Sequence, residues 1–213
     1  RYEGEWTNLM TPTPGKANLS ITSEPRIKSN DLIINEAMSE DNIRPIYSDW
    51  VEIYNPTKKL VSLKDYTLTD DSETPKRFVF PDCKIAPDSY FLLRLSKNIP
   101  KVQKCKTLRS GFSLRTGEVL QLFNPKEELV SELITGHLRA GISTGRPPND
   151  IQGRVYYKDP TPNEKNDKRF FTGYSQQPII ATSGGCYDKP LLVKIDPVEN
   201  AKIHYTLDGS EPN

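Results

Sequence analysis

No apolar run in this 213-residue sequence reaches the ~18–20 residues that a helix needs to cross a bilayer, so a membrane span is not expected. Charge of one sign is also lacking. The 29 Lys and Arg residues face 28 Asp and Glu, a formal net charge of +1, which excludes the global basic field behind nonspecific binding to nucleic acid or anionic membranes. Histidine is scarce: His137 and His204 are the only two, and neither stands at a metal-ligand spacing from the other or from a cysteine. The HExxH, Walker A and paired-cysteine signatures are absent, so an enzyme reading finds no residues of those kinds, and no cofactor is expected. Three cysteines, Cys83, Cys105 and Cys186, include no CxxC pair, which argues against a zinc site. They leave two readings open, three buried or half-buried thiols or a Cys83–Cys105 disulfide in an exported protein.

Apolar content is low as well, 35% by the AVILMFWYC count, and stays well under the ~45–50% of a typical globular chain when glycine replaces tyrosine in that count. Proline is the excess, 18 in 213 residues against a usual ~5%, which argues against long helices. Short runs alternate between apolar and polar residues at the period of a β-strand. Leu32–Glu36, Asp49–Tyr54, Tyr66–Asp70, Arg77–Phe80, Ser89–Leu95, Glu118–Phe123 and Leu129–Ile134 read as strands, separated by turn signals such as Asn55-Pro56, Pro81-Asp82, Thr116-Gly117 and Asn124-Pro125. This pattern predicts an all-β, antiparallel sandwich or barrel. In Asp49–Tyr54 the buried face is expected to be Val51 and Ile53, with Glu52 and Tyr54 outward. Ser89–Leu95 is apolar on both faces and is expected to be a central strand.

Thr11-Pro12-Thr13-Pro14-Gly15-Lys16-Ala17-Asn18 is echoed by Asp159-Pro160-Thr161-Pro162-Asn163-Glu164-Lys165-Asn166. An echo of this kind suggests a tandem array, with residues 1–27 the tail of a preceding repeat and its linker, and residues 28–166 the next unit. Residues 167–176 are then a linker. From residue 177 to 213 three further strand-like runs end at the tight-turn pair Asp208-Gly209. Three strands are marginal alone, so this piece is expected to be an incomplete module.

Several of these runs have a family likeness. Leu32-Ile33-Ile34-Asn35-Glu36, then Asp49-Trp50-Val51-Glu52-Ile53-Tyr54-Asn55-Pro56, Leu63-Lys64-Asp65-Tyr66-Thr67-Leu68-Thr69-Asp70, Phe78-Val79-Phe80-Pro81, Ile85-Ala86-Pro87 and Phe112-Ser113-Leu114-Arg115 follow one another as in lamin-tail domains. Residues 28–166 therefore resemble that family, including its Pro-Thr-Pro-x-x-x-Asn ending in bacterial members, with Tyr66 where the family often has Trp. The resemblance implies an immunoglobulin-like antiparallel β-sandwich in a bacterial, extracellular protein. The last unit is similar to the chitobiase and hexosaminidase C-terminal type of immunoglobulin-like domain, through Pro178, Gly185–Tyr187 and Ile203–Pro212. That combination implies a larger parent, of the spore-coat CotH type or an extracellular hydrolase, of which this is a noncatalytic part.

Three groups of residues are candidates for binding. The acidic cluster Asp70, Asp71 and Glu73 lacks the alternating oxygens and glycine of an EF-hand loop, so a solvated turn rather than a Ca²⁺ site is expected. The basic run Lys97, Lys101, Lys104, Lys106 and Arg109 contains no acid, and is expected to be a solvated loop giving weak, salt-sensitive polyanion binding at most. Trp50, Tyr54, Tyr156 and Tyr157, with Tyr174 and Tyr187, are the residue types that stack on pyranose rings, although most are expected to pack the sandwich or its joints. Taken together, the sequence predicts a noncatalytic spacer, adhesion or presentation module at the cell surface or outside the cell. Its expected partner is a protein or a cell-surface polymer rather than nucleic acid or a small-molecule substrate. The alternative is an accessory domain that binds glycan or nucleic acid for an enzyme elsewhere in the parent chain.

Overall fold

The structure, a computed structural model, describes residues 32–39, 49–175, 178–196 and 202–210. The expected repeat tail at 1–27 lies outside the described residues. The chain divides into two compact units, Arg1–Thr172 and Gly173–Asn213.

The first unit is all-β. Its strands are β1 (Ile33–Met38), β2 (Trp50–Asn55), β3 (Val61–Ser62), β4 (Thr67–Thr69), β5 (Phe78–Val79), β6 (Lys84–Ile85), β7 (Ser89–Arg94), β8 (Val119–Phe123), β9 (Leu129–Ile134), β10 (Ser143–Gly145) and β11 (Val155–Tyr157). They form a five-stranded sheet in the order β11-β10-β1-β2-β7, a four-stranded sheet in the order β5-β4-β8-β9, and a small β3-β6 pair. All of these strand pairs are antiparallel, and the fold is an immunoglobulin-like β-sandwich.

Register explains which residues fill the core. In the larger sheet Ile34, Ile53 and Phe91 lie abreast, as do Ala37, Val51 and Leu93, so one face presents a continuous apolar surface. Leu68 and Leu122 pair on the smaller sheet, and Leu68, Leu120, Leu122 and Leu133 are fully buried. Each such side chain contributes ~1.5–3 kcal/mol by leaving water. The sheets are also joined by a polar tie, the Ile34 amide donating to Ser131 Oγ at 2.9 Å. At the end of β2 the Asn55 side chain fixes the turn: Nδ2 donates to the carbonyls of Lys59, Ile85 and Ala86, and Oδ1 accepts from the Thr57 amide and hydroxyl.

Two expectations are corrected. Strand β7 is an edge strand rather than a central one. Beyond its outer edge the chain returns only at a single parallel bridge, Arg94 to Arg109, while on its core face Phe91 meets Phe80 edge-on at 6.0 Å. Glu52 does not face solvent but is fully buried. The reason lies in a distant segment, described below. Four short strands of two or three residues, β3, β6, β10 and β11, were not among the expected runs.

The second unit holds one antiparallel pair, β12 (Ile179–Ile180) with β13 (Ile195–Asp196). The expected strand at Lys202–Leu207 is not formed. Leu192 and Leu207 are 91% and 95% exposed, and among the described residues this unit has no second sheet against which such a strand could bury a face. The expected Asp208-Gly209 turn is present, with Gly209 at φ +80° and the Ser210 amide and hydroxyl both donating to Asp208 Oδ1.

Candidate functional site

The most concentrated polar chemistry lies on the outer face of the five-stranded sheet. Glu36 on β1 and Glu52 on β2 sit directly opposite one another in register, and neither exposes any surface. Like charges so placed repel, and a buried carboxylate loses its hydration. Burial is accordingly the main reason that Glu52 is pushed up to about 8. Hydrogen bonds from Asn35 and the Asn163 amide pull the other way, and the charges of Glu36 and Glu164 add to the rise.

Donors converge on the pair from three places. The ladder shifts register between Ile34 and Glu36, a bulge that turns the Asn35 side chain toward the site, where Nδ2 donates to Glu52 Oε1 and to Asn166 Oδ1, both at 2.8 Å. From β10, Ser143 Oγ donates to Glu36 Oε1. From above comes the segment 159–166. The Thr161 amide donates to Glu36 Oε1 and Oε2 at 3.3 and 3.2 Å, its hydroxyl to Oε2 at 3.0 Å, and the Asn163 amide to Glu52 Oε2. Asn163 holds φ at +66°, the left-handed conformation that asparagine tolerates better than most residues. The segment ends at Asn166, whose Nδ2 donates to the carbonyls of Arg146 (2.7 Å) and Asn35 (3.3 Å).

Gly145, abreast of Glu36, leaves the room this arrangement needs. A Cβ there would lie 2.7 Å from the Asn35 carbonyl oxygen, 3.1 Å from Asn166 Nδ2 and 3.2 Å from Glu36 Cγ. Next along the chain, Arg146 is 2% exposed and satisfies its guanidinium on backbone carbonyls alone. Nε donates to Ile34, one terminal nitrogen to Gln152 and Gly153 at 3.2 Å each, and the other to Glu132. Burial lowers it to about 10, against the raising effect of Asp150 and Glu132. The Tyr157 hydroxyl donates to the Arg146 carbonyl at 2.7 Å, and burial pushes that phenol upward.

These carboxyl groups show no surface to a substrate. Their geometry closes a sheet face over itself. Pro160 and Pro162, both half-buried, belong to that cover. Glu36, Glu52, Asn35, Thr161 and Asn166 all fall within runs singled out as family markers, but nothing local in the sequence joins them. Arg146 carried no signal at all, since Gly-Arg-Pro-Pro reads as an ordinary loop.

The residues singled out for binding are placed as follows. Trp50, Tyr156 and Tyr157 are buried, at 0%, 3% and 0% exposure, because they fill the larger sheet's packing, so they offer no face to a sugar. Trp50 Nε1 is buried with no hydrogen-bond partner. Tyr54 is only half-buried; it stacks on Tyr90 with ring centroids 4.9 Å apart and donates to Asp88 Oδ1. Burial and the bond to Asp88 push Tyr54 up to about 12. Tyr187 is 50% exposed in the second unit. Lys97, Lys101, Lys104 and Lys106 are exposed, whereas Arg109 is half-buried and turns back to the Asn98 carbonyl at 3.2 Å. Phe112, the nearby aromatic, is buried. Cys83 and Cys105 are joined by a disulfide with Cα atoms 5.6 Å apart, and Cys186 is a free, exposed thiol. In the acidic cluster Asp70 pairs with Arg77 at 2.5 Å, and Asp71 accepts from the Glu73 amide and the Thr74 hydroxyl, the bonds of a closed turn. Among the described residues no group of His, Cys, Asp and Glu is arranged to hold a metal ion, and no helix is long and apolar enough to cross a membrane.

The family model described as Lamin Tail Domain matches residues 25–136. The chain belongs to the lamin tail domain family. No curated protein and no solved structure matches it. The match takes in Glu36 and Glu52 but stops before Gly145, Arg146 and the segment 159–166, so half of the closed site lies outside the matched part of this lamin tail domain.

Proposed function

We propose that this chain is a noncatalytic spacer or adhesion module of a larger multidomain protein at the cell surface or outside the cell. The observation that carries the reading is the Cys83–Cys105 disulfide, since such bonds persist in oxidising compartments and are rare in the reducing cytosol. The closed carboxylate pair supports the noncatalytic part, because its oxygens are taken up by donors of the same domain. In this reading residues 1–27 end a preceding repeat, 167–176 link, and 177–213 begin a chitobiase C-terminal-type module, within a bacterial parent of the CotH type or an extracellular hydrolase. A glycan array combined with a polyanion pull-down at physiological salt tests it. No specific hit is expected, and a saturable one defeats the spacer role.

The second reading is an accessory domain that binds a glycan or polyanion for an enzyme elsewhere in the parent. The half-exposed Tyr54–Tyr90 stack favours it for sugars, and the lysines at 97, 101, 104 and 106 for polyanions. The same two assays distinguish these ligands.

A further inference from the structure

The two edges of the five-stranded sheet differ. At β11 the chain doubles back, and Tyr156 and Phe171 exchange both backbone hydrogen bonds, at 2.8 and 3.0 Å. At β7 two bonds fix which way the backbone points. The Leu95 amide donates to the Asp49 carbonyl on the side of β2, whereas the Arg94 carbonyl accepts from the Ser110 amide on the other side. Backbone groups of successive residues alternate between the two sides of a strand, so Tyr90 and Leu92 turn their N–H and C=O away from β2. Among the described residues nothing bonds these groups there. Ser89–Leu93 also lacks the devices that usually protect an edge, since it has no charge, no proline and an unbroken register with β2. Tyr90, Phe91 and Leu92 are only half-buried.

The surface that this edge runs into is basic. Lys97, Lys101, Lys104 and Lys106 are exposed and form no ion pair among the described residues. Their loop is braced rather than loose: the Gly111 amide donates to the Ser96 carbonyl at 3.0 Å, the Arg109 amide to Gln103 Oε1 at 2.7 Å, and Cys105 is bonded to Cys83. We infer that the free edge of β7 takes up an extended segment of a partner protein as a further antiparallel strand, in which acidic residues precede an apolar, β-branched run. Antiparallel pairing sets the N-terminal end of that segment against Arg94 and the lysine loop. Backbone bonds to Tyr90 and Leu92 supply the affinity, and the lysines select the charge. A second copy of β7 suits the edge less well, because Ser89–Arg94 holds no acid to meet those lysines. The inference rests on the adhesion part of the proposed function and deepens it by naming the chemistry of the partner.

The probe is a short synthetic peptide, an acidic run followed by alternating Val and Thr, titrated with the full chain by fluorescence anisotropy. Saturable binding is expected, and N-methylation of the peptide amides that face β7 should weaken it about tenfold or more. Leu92→Pro removes one outward N–H and leaves the bonds to β2, a change that an edge strand tolerates, and should weaken binding by a similar factor. Lys97→Glu with Lys101→Glu should weaken it too and flatten its salt dependence. Equal affinity for the N-methylated peptide, or for the acidic run alone, overturns the inference, as does the absence of saturable binding. The N-methylated peptide needs no variant, so it decides the outcome even if Leu92→Pro does not fold. Dimers of the unaltered chain in sedimentation that Leu92→Pro abolishes would assign the edge to a second copy and overturn the inference as well. The glycan array does not read the β7 backbone, so a hit there defeats the spacer role without touching this result.

Discussion

Asn35 donates to Asn166 across 131 residues of sequence, at 2.8 Å, through the same amide nitrogen that donates to Glu52. One bulged residue thereby connects the start of the sandwich, its buried acid and the segment that covers both. Asn166 in turn donates to the carbonyls of Asn35 and Arg146. Replacing Asn166 by alanine removes three buried hydrogen bonds at once, although the Arg146 carbonyl keeps the Tyr157 hydroxyl, the Asn35 carbonyl the Arg146 amide, and the Asn35 side chain Glu52. A loss of about 2–3 kcal/mol in urea denaturation is expected. A change under about 0.5 kcal/mol, the usual range for surface substitutions, would mean that the segment does not hold the sheet.

The raised Glu52 sets the direction of a pH dependence. Its value is about 8 in the folded chain against an ordinary 4.5, so between those limits the folded state binds a proton that the unfolded state has released. Stability therefore falls as pH rises through this window, by up to ~1.4 kcal/mol per pH unit and a few kcal/mol in all, and is greatest below the unfolded value as far as this group is concerned. Glu52→Gln removes the proton exchange while keeping one oxygen acceptor. Chemical denaturation from pH 5 to 9 should show a steeper decline for the unaltered chain than for the variant. Parallel curves would place the linkage elsewhere.

Glu52 also marks where sequence reading stops. Alternation located all seven strands expected in the sandwich, and the residues abreast on its core face follow from the same alternation. Polarity then placed Glu52 outward, since nothing within its own strand says otherwise. Its cover comes from Asn163, 111 residues away, and a contact at that distance is a property of the folded chain. Ser143–Gly145 was invisible for a related reason. Three small or polar residues form a strand there because β1 and β11 flank them, with Gly145 selected by the space beside Asn35 and Glu36. The Asn55-Pro56 turn was legible because asparagine and proline impose their geometry locally.

Arg146 supports four carbonyls, those of Ile34, Glu132, Gln152 and Gly153, so it ties β1 and β9 to the loop before β11. Methionine has similar reach and no donors. Arg146→Met is expected to cost about 3 kcal/mol or more, through buried acceptors left unmet rather than through lost charge pairing. Arg146→Lys should recover only part of it, because one ammonium cannot span the donors of a planar guanidinium. Full recovery by lysine in thermal or urea melts would contradict this account.

The disulfide acts on a different part of the sandwich. It closes a loop of sequence separation 22, and within that loop Leu93, Leu95 and the half-buried remainder of β7 form the sheet edge. Loop-closure entropy for that length gives about 3 kcal/mol. Cys83→Ser with Cys105→Ser should therefore lower the urea midpoint of the chain, and reductant should lower that of the unaltered chain to a similar level while leaving the double variant unchanged. The cystine shares no hydrogen bond with Glu36, Glu52 or Asn166, so the double variant should retain the pH slope assigned to Glu52. Loss of that slope would show that the β7 edge and the carboxylate cover unfold as one unit, and would move the origin of the pH dependence from the buried pair to the sheet edge.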